Sequence, residues 1–458
     1  MTIQKYSEQR SANIPSKSFY LPLSLVTTFA LLILQNEMKA VTSFAKHHRR
    51  FDQRRIVSLT ASNIHQQGRC VPLPSYPASS CNRVSRNSST KLFSTSRKNG
   101  VNAGTDTGNY LNEGLVVSQA DKDMIAETPL FKSASNLLDG LDTYIIKSED
   151  GHPLSLYGIN SYCVENEDES SNQPKRRPIL MLHGRTWSSV PVYHLLGGAN
   201  QSDTHHSRSL MKSLYEAGLQ PYAMDFRGFG GTPCDATNSV IPNRSVLDVE
   251  CALEYIAKKH GRSKNLDHHL PALMGWSQGA LIAHLLAQKS PQMISKLVLY
   301  GSIYDPLVRY PRQPLFTNGT DASGDRMDVE NTFNGAIEDF TVEGSIPPAA
   351  AIEFAEAALA SDPRKARWNL LCQFNNCDPA RVHVPTLVVA GDQDPYAPLR
   401  IQSELFTNLG RGADRTWSII ADADHAVHLL DSGKERFVNL VKSFVENGKK
   451  GEGSEFDV

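Results

Sequence analysis

Five short apolar runs, separated by stretches of helical periodicity, leave few folds open to this chain. PILMLHG (178–184), PYAMDFRG (221–228), PALMGWS (271–277), KLVLYGS (296–302) and TLVVAGD (386–392) are short and almost uniformly apolar. Runs of that kind suit strands buried on both faces, as in a parallel sheet. Between them lie helix-period segments. Ser245 is placed to cap one that carries Val246, Val249, Leu253 and Ile256. A second shows Leu281, Ile282, Leu285 and Leu286, and a last one shows Phe437, Leu440, Val441, Phe444 and Val445 at i, i+3, i+4, i+7 and i+8. Upstream, DTYIIKS (142–148) and LSLYGINSYC (154–163) read as a strand pair, followed by the acidic turn VENEDES (164–170). Alternating strand and helix argues for an α/β sheet covered on both faces.

The rhythm breaks over residues 305–382. A polar stretch, TNGTDASGDRMD (317–328), precedes AAAIEFAEAALA (349–360) and PRKARWNLLCQF (363–374), both expected to be helical. Long inserts at the ligand-binding end of such sheets serve as lids, so a helical cap is expected here.

The formal net charge of −1 conceals an asymmetry. The first hundred residues hold 15 Lys and Arg against 3 Asp and Glu, leaving 32 basic and 45 acidic residues in the remainder. The chain thus looks like a basic leader ahead of an acidic body, and its near-neutral overall balance argues against a generally basic nucleic-acid binder. Within the leader, residues 19–34 (FYLPLSLVTTFALLIL) are uncharged, and HHRRFDQRR (47–55) and RVSRNSSTKLFSTSRK (83–98) are rich in Arg and Ser. Three expectations compete: a signal peptide joined to a plastid-type transit peptide, a mitochondrial presequence, and a membrane anchor at 19–34. The first two imply an organelle; the third makes the apolar segment the one point of membrane contact. Seven cysteines without a Cys-x-x-Cys pair point to neither a disulfide framework nor a zinc site.

The chemistry centres on Gly275-Trp276-Ser277-Gln278-Gly279, which follows one apolar run and opens a helical one. In that context a G-x-S-x-G turn projects the serine hydroxyl above a sheet. Gly275 and Gly279 give the room that the sharp turn needs, and the Gln278 N–H is positioned to donate to an oxyanion. A serine hydroxyl needs a base, and downstream histidines occur at His284, His383, His425 and His428. His284 lies within the helix after the turn and His383 enters a strand. His425 follows TWSII (416–420) in a loop and is preferred to His428. In Gly391-Asp392-Gln393-Asp394-Pro395 the orienting acid is expected to be Asp394, with Asp392 as the alternative. The loop His183-Gly184-Arg185-Thr186-Trp187 follows PILML; the Arg185 N–H is the expected second oxyanion donor, beside a compact Gly184 and a structural His183. The Arg185 side chain either attracts an anionic substrate or is simply exposed. Trp187, Trp276 and Trp368 are either walls of an apolar substrate pocket or ordinary core aromatics.

These motifs, with Asp225-Phe226-Arg227-Gly228-Phe229-Gly230, GDQDPYAP and DADHAVHL, resemble the α/β-hydrolase superfamily over residues 140 to 447. They look most like its cap-bearing esterase, epoxide-hydrolase and cofactor-free haloperoxidase-like branch. The resemblance implies a mostly parallel eight-stranded sheet with helices on both faces and a helical cap inserted before the penultimate strand. It divides the chain into a targeting region (1–105), a linker (106–138), a core (139–304 and 383–447), a cap (305–382) and a tail (448–458). Ser277 stands where epoxide hydrolases and haloalkane dehalogenases need Asp, and the loop reads HGRT without an HGGG or HG-x-Pro pattern. The resemblance therefore implies serine acyl chemistry on a small-molecule acyl substrate through Ser277, His425 and Asp394, with no metal and no organic cofactor. Carboxylester or thioester hydrolysis leads. Carbon–carbon bond hydrolysis and acyl transfer use the same triad, and a non-catalytic binding protein on the same scaffold is the reading of a different class.

Overall fold

In the computed structural model, strands β1 (Leu141–Lys147) and β2 (Pro153–Ile159) pair in antiparallel register at one edge of a sheet. The structure describes residues 116–160, 176–196, 207–261, 270–320, 326–412 and 414–447. The apolar segment 19–34, the rest of the targeting region and the tail 448–458 lie outside them. The described residues all belong to one compact unit, 104–458. No described helix is long and apolar enough to cross a membrane.

Ahead of β1 come α1 (Gln119–Ala126), α2 (Pro129–Ser133) and a 3-10 turn over Ser135–Leu138. Most of this stretch was expected to be linker. It is folded because Ile125 and Leu130 are buried and Lys147 pairs with Asp121 across a gap of 2.5 Å. A capping box between Ser118 and Asp121 starts α1.

The sheet continues through β3 (Arg177–Leu182), α3 (Ser189–Tyr193), α4 (Leu210–Glu216), β4 (Leu219–Met224), α5 (Pro242–Lys259), β5 (Ala272–Trp276), α6 (Gln278–Lys289) and β6 (Leu297–Tyr300). After the insert come β9 (Thr386–Gly391), α9 (Leu399–Asn408), β10 (Arg415–Ile420) and α10 (Lys434–Glu446). Eight strands lie in the order β1-β2-β4-β3-β5-β6-β9-β10, parallel from β4 to β10. The five apolar runs of the sequence supply its buried strands. Successive side chains alternate faces. Ile179 and Met181 therefore join the core beneath α4 and α10, while Leu180 and Leu182 join the core beneath α5 and α6.

Helix α10 shows why packing outweighs propensity here. Phe437, Val438, Val441 and Val445 are helix formers poorer than Ala by about 0.5 kcal/mol each. Burying such side chains returns roughly 1.5–3 kcal/mol apiece. The start of α5 departs from expectation. It begins at Pro242, whose fixed φ suits the first helical position, with Ile241 as its cap residue. Ser245 lies inside the helix and bonds back to the Ile241 carbonyl at 3.2 Å.

The insert holds a small hairpin, β7 (Thr317–Thr320) with β8 (Arg326–Asp328), then α7 (Phe333–Ile337) and α8 (Pro348–Ser361). The helix expected over 363–374 does not form. Pro363 ends α8, Leu370 takes a left-handed φ of 52°, and a 3-10 turn follows over Leu371–Asn376. Between them Trp368 bridges to Val240, with the Val240 N–H donating to the Arg367 carbonyl and the Asn369 N–H to the Val240 carbonyl. The tryptophan is buried against Phe226, Phe229 and Phe374, and that anchorage draws the backbone into an extended strap. At the end of α8, Asp362 accepts from the Ser188 and Gly230 N–H groups at 2.7 and 2.8 Å, tying the insert to two core loops.

A buried ion cluster braces the loop after β4. Arg227 is 4% exposed and donates to both carboxylate oxygens of Asp248 and of Asp150, and to Asp235. Removing one partner of such a cluster leaves uncompensated charge behind. Arg227→Met should therefore lose about 3–5 kcal/mol of unfolding free energy in urea titrations. Lys132→Met, which removes the exposed pair with Glu127, should stay within about 0.5 kcal/mol. Equal losses in the two variants would contradict this assignment.

Candidate active site

Ser277 sits at the turn from β5 into α6 with φ 56° and ψ −120°, a left-handed conformation that side-chain-bearing residues rarely adopt. The turn is sharp because the chain has no room around it. A Cβ on Gly275 would meet the Gly279 carbonyl oxygen at 2.3 Å, and one on Gly279 would meet the His183 carbonyl oxygen at 2.3 Å. The Ser277 N–H donates to the Tyr300 carbonyl at 3.0 Å, which locks the turn to the neighbouring strand end.

Asp394 and His425 occupy loops beyond β9 and β10, on the same end of the sheet as Ser277. Asp394 is buried and 2.7 Å from His425, between Oδ2 and Nδ1. Its Oδ1 accepts from the Tyr396 and Ala397 N–H groups at 2.9 Å each, so the Asp-Pro turn holds the carboxylate in place. The preference for Asp394 over Asp392 thus corresponds to a real difference in position: Asp392 is exposed and accepts from the Ala423 N–H at 3.3 Å. With Nδ1 donating to Asp394, the His425 Nε2 is left as an acceptor, without a protein partner among the described residues.

The other histidines are placed differently. His428 is fully buried, with Nδ1 beside the Tyr300 hydroxyl and Nε2 beside the Val192 carbonyl, both at 2.9 Å. His284 is buried inside α6 and His383 is exposed at the entry to β9. His183 is buried; its Nε2 accepts from the Phe226 N–H at 3.1 Å and its Nδ1 donates to the Gly184 carbonyl at 3.0 Å.

The loop after β3 lies against the turn. A Cβ on Gly184 would come within 3.3 Å of the Ser277 Cβ. Next to it, the Arg185 Nε donates to the Gln278 Oε1 at 2.6 Å. Among the described residues, neither the Arg185 N–H nor the Gln278 N–H donates to a protein acceptor. Two donors without partners beside a serine can stabilise a developing oxyanion.

The three tryptophans act as braces. Trp276 Nε1 donates to the His425 carbonyl at 2.8 Å and its ring lies 5.1 Å from the His425 ring. Trp368 Nε1 donates to the Arg185 carbonyl at 2.9 Å. Trp187 Nε1 donates to Asp339 in the insert at 2.7 Å. Trp368 is fully buried, and Trp187 and Trp276 are 3% and 6% exposed. A described cavity of about 180 Å³ lies to one side, among Tyr304–Tyr310 and Phe374–Cys377, and none of the three lines it.

Sequence reasoning passed over several neighbours of the site. Gly301, at φ 49°, lies under the His–Asp pair: a Cβ there would be 3.1 Å from the His425 ring and 3.3 Å from Asp394 Oδ2. Its signal was a glycine at the end of KLVLYGS. Asp424 accepts from the Ala426 N–H and from the Thr341 N–H of the insert, and the Tyr396 ring meets the His425 ring edge-on with centroids 5.1 Å apart. Asp339 and Asp424 have no local pattern that separates them from surface acids.

A model of the alpha/beta hydrolase family matches residues 179–440, more than half of the chain. A probable alcohol acetyltransferase of Saccharomyces cerevisiae is 29% identical over 145 residues, 32% of this chain and 35% of that protein. The chain thus spans about a third of that relative's length. Among solved structures, a serine hydrolase involved in carbazole degradation matches with 18% identity and a TM-score of 0.44 over 67% of this chain and 98% of that one. An esterase from Exiguobacterium antarcticum matches with 17% identity and a TM-score of 0.39 over 67% of this chain and all of that one.

Burial lowers the pKa of His183 and of His428 to about 3, against about 6.5 in an unfolded chain. Each neutral ring stabilises the fold fully above pH 6.5, and that contribution is lost as pH falls toward 3. The slope is about 1.4 kcal/mol per pH unit for each histidine. Urea titrations between pH 7 and 4 should show this acid loss, and His428→Asn should flatten it by one histidine's share. An unchanged slope in that variant would sink the assignment.

Proposed function

The chain belongs to the alpha/beta hydrolase family, and from that premise we propose that it is a serine hydrolase of carboxylic esters or thioesters, with Ser277 as nucleophile, His425 as general base and Asp394 as the orienting acid. One observation carries this reading. A serine strained at a strand-to-helix turn stands on the same sheet end as a histidine whose Nδ1 is held 2.7 Å from a buried carboxylate.

The chemistry follows from those positions. His425 Nε2 takes the Ser277 hydroxyl proton as Oγ adds to the substrate carbonyl carbon. The Gln278 and Arg185 N–H groups stabilise the resulting oxyanion. As the tetrahedral species collapses, the bond to the leaving group breaks and His425 returns the proton to the departing alcohol or thiol. Water then attacks the acyl-enzyme, gives its proton to His425, and the second collapse restores Ser277 and frees the acid. Asp394 stays ionised throughout, holding the tautomer and stabilising the imidazolium.

An alcohol in place of water would turn the same acyl-enzyme into an acyl transferase, and the partial likeness to an alcohol acetyltransferase favours testing it. The decisive assay is hydrolysis of short and medium acyl p-nitrophenyl esters by the full chain. Ser277→Ala and His425→Ala should each reduce kcat by on the order of 10⁴-fold or more. Asp394→Asn should cost on the order of 10⁴-fold by disturbing the tautomer. Full activity in the Ser277→Ala protein would refute the mechanism. Ester formed in the presence of added ethanol would assign acyl transfer.

A further inference from the structure

Arg185 brings a guanidinium to the site, and among the described residues it has no counter-ion. It is half-buried, and no carboxylate among the described residues lies within ion-pair distance of it. Elsewhere the protein matches buried guanidinium groups with acid: Arg227 with Asp248, Asp150 and Asp235, and Arg208 with Asp431. A half-buried cation without an ion-pair partner is placed to accept an anion from outside the chain.

The surroundings agree. Burial pushes the Arg185 pKa down from its ordinary value, and the titratable groups that face it are the Tyr310 and Tyr396 phenols, uncharged near neutral pH. The nearby acids are engaged elsewhere: Asp339 with Trp187, Asp394 with His425, and Asp424 with Ala426 and Thr341. Arg185 is also held still. Trp368 bonds its carbonyl and Gln278 takes its Nε–H. Both Nη groups remain without an acceptor among the described residues, a fork that matches a carboxylate. A Cβ on the preceding residue, Gly184, would lie 3.3 Å from the Ser277 Cβ.

We propose that Arg185 selects esters whose acyl part carries a second, free carboxylate a few atoms from the scissile carbonyl, a half-ester of a short dicarboxylic acid. This assignment of substrate class rests on the ester-hydrolase reading above. Such a substrate offers the guanidinium its missing partner while the ester carbonyl reaches Ser277.

The test compares the monomethyl esters of succinate, glutarate and adipate, each beside the isostere in which a primary amide replaces the free carboxylate. The full chain should favour the acid over its amide in kcat/KM by roughly 10- to 100-fold at one chain length at least. Arg185→Met should abolish that ratio. Arg185→Gln, which keeps a donor for Gln278, repeats the test if the first variant does not fold. A residue that only positions Gln278 would lower both substrates together and leave the ratio intact. A wild-type ratio near one at every length, or a ratio unchanged in the variants, overturns the proposal. If wild type turns over neither ester and Ser277 resists a phosphonate label, the hydrolase reading fails by itself. Calorimetric titration with glutarate then decides: binding that depends on Arg185 supports the carboxylate site, and no binding overturns it.

Discussion

The close approach of chain to chain around Ser277 is the constraint on which the site depends. Strand β5 ends against the first turn of α6, and α6 in turn presses on the end of β3, with carbonyl oxygens 2.3 Å from where Gly275 and Gly279 would carry side chains. No residue larger than glycine fits at either point. The contact forces a reversal within one residue, and that residue is Ser277 at φ 56°. Strain of this kind persists only where the surroundings over-determine it. Here they are two buried strands and a helix with nearly every side chain in the core.

Around that point the loops are braced by hydrogen bonds from buried indole N–H groups. Trp276 holds the carbonyl of His425, Trp368 holds the carbonyl of Arg185, and Trp187 holds Asp339. Each indole fills apolar space with its ring and spends its single N–H on a loop that would otherwise move. The insert is tied down in the same way, through Asp362 to the Ser188 and Gly230 N–H groups and through the Thr341 N–H to Asp424. The insert and the site therefore share one hydrogen-bonded frame.

How far the sequence was readable follows from how local each signal was. Uniform apolar runs marked the buried strands, because a strand covered on both faces has no polar position to blur it. The helix misread over 363–374 had an acceptable local pattern, yet Pro363 and the buried Trp368 outweighed it. Ser245 looked like a cap, and Pro242 three residues earlier was the better start signal. Residues 119–138 were expected to belong to a linker; they fold because Ile125 and Leu130 find a core to enter. The tryptophans were visible as residue types, but which atom each would hold was not.

By itself, the sequence determined the order and kind of the main strands and helices, the glycines that a sharp serine turn requires, and the short set of acids and histidines that could serve it. Those are consequences of side-chain period and backbone sterics, which act over a few residues. Tertiary structure decided which members of the set meet: Asp394 and not Asp392 against His425, His428 sealed in the core between Tyr300 and Val192, and Arg185 beside Gln278 with no acid among the described residues to neutralise it. The reason is physical. Parallel strands bring the loop after β5 to the same end of the sheet as the loops after β9 and β10, more than a hundred residues further on, and only burial there settles which polar atoms find partners.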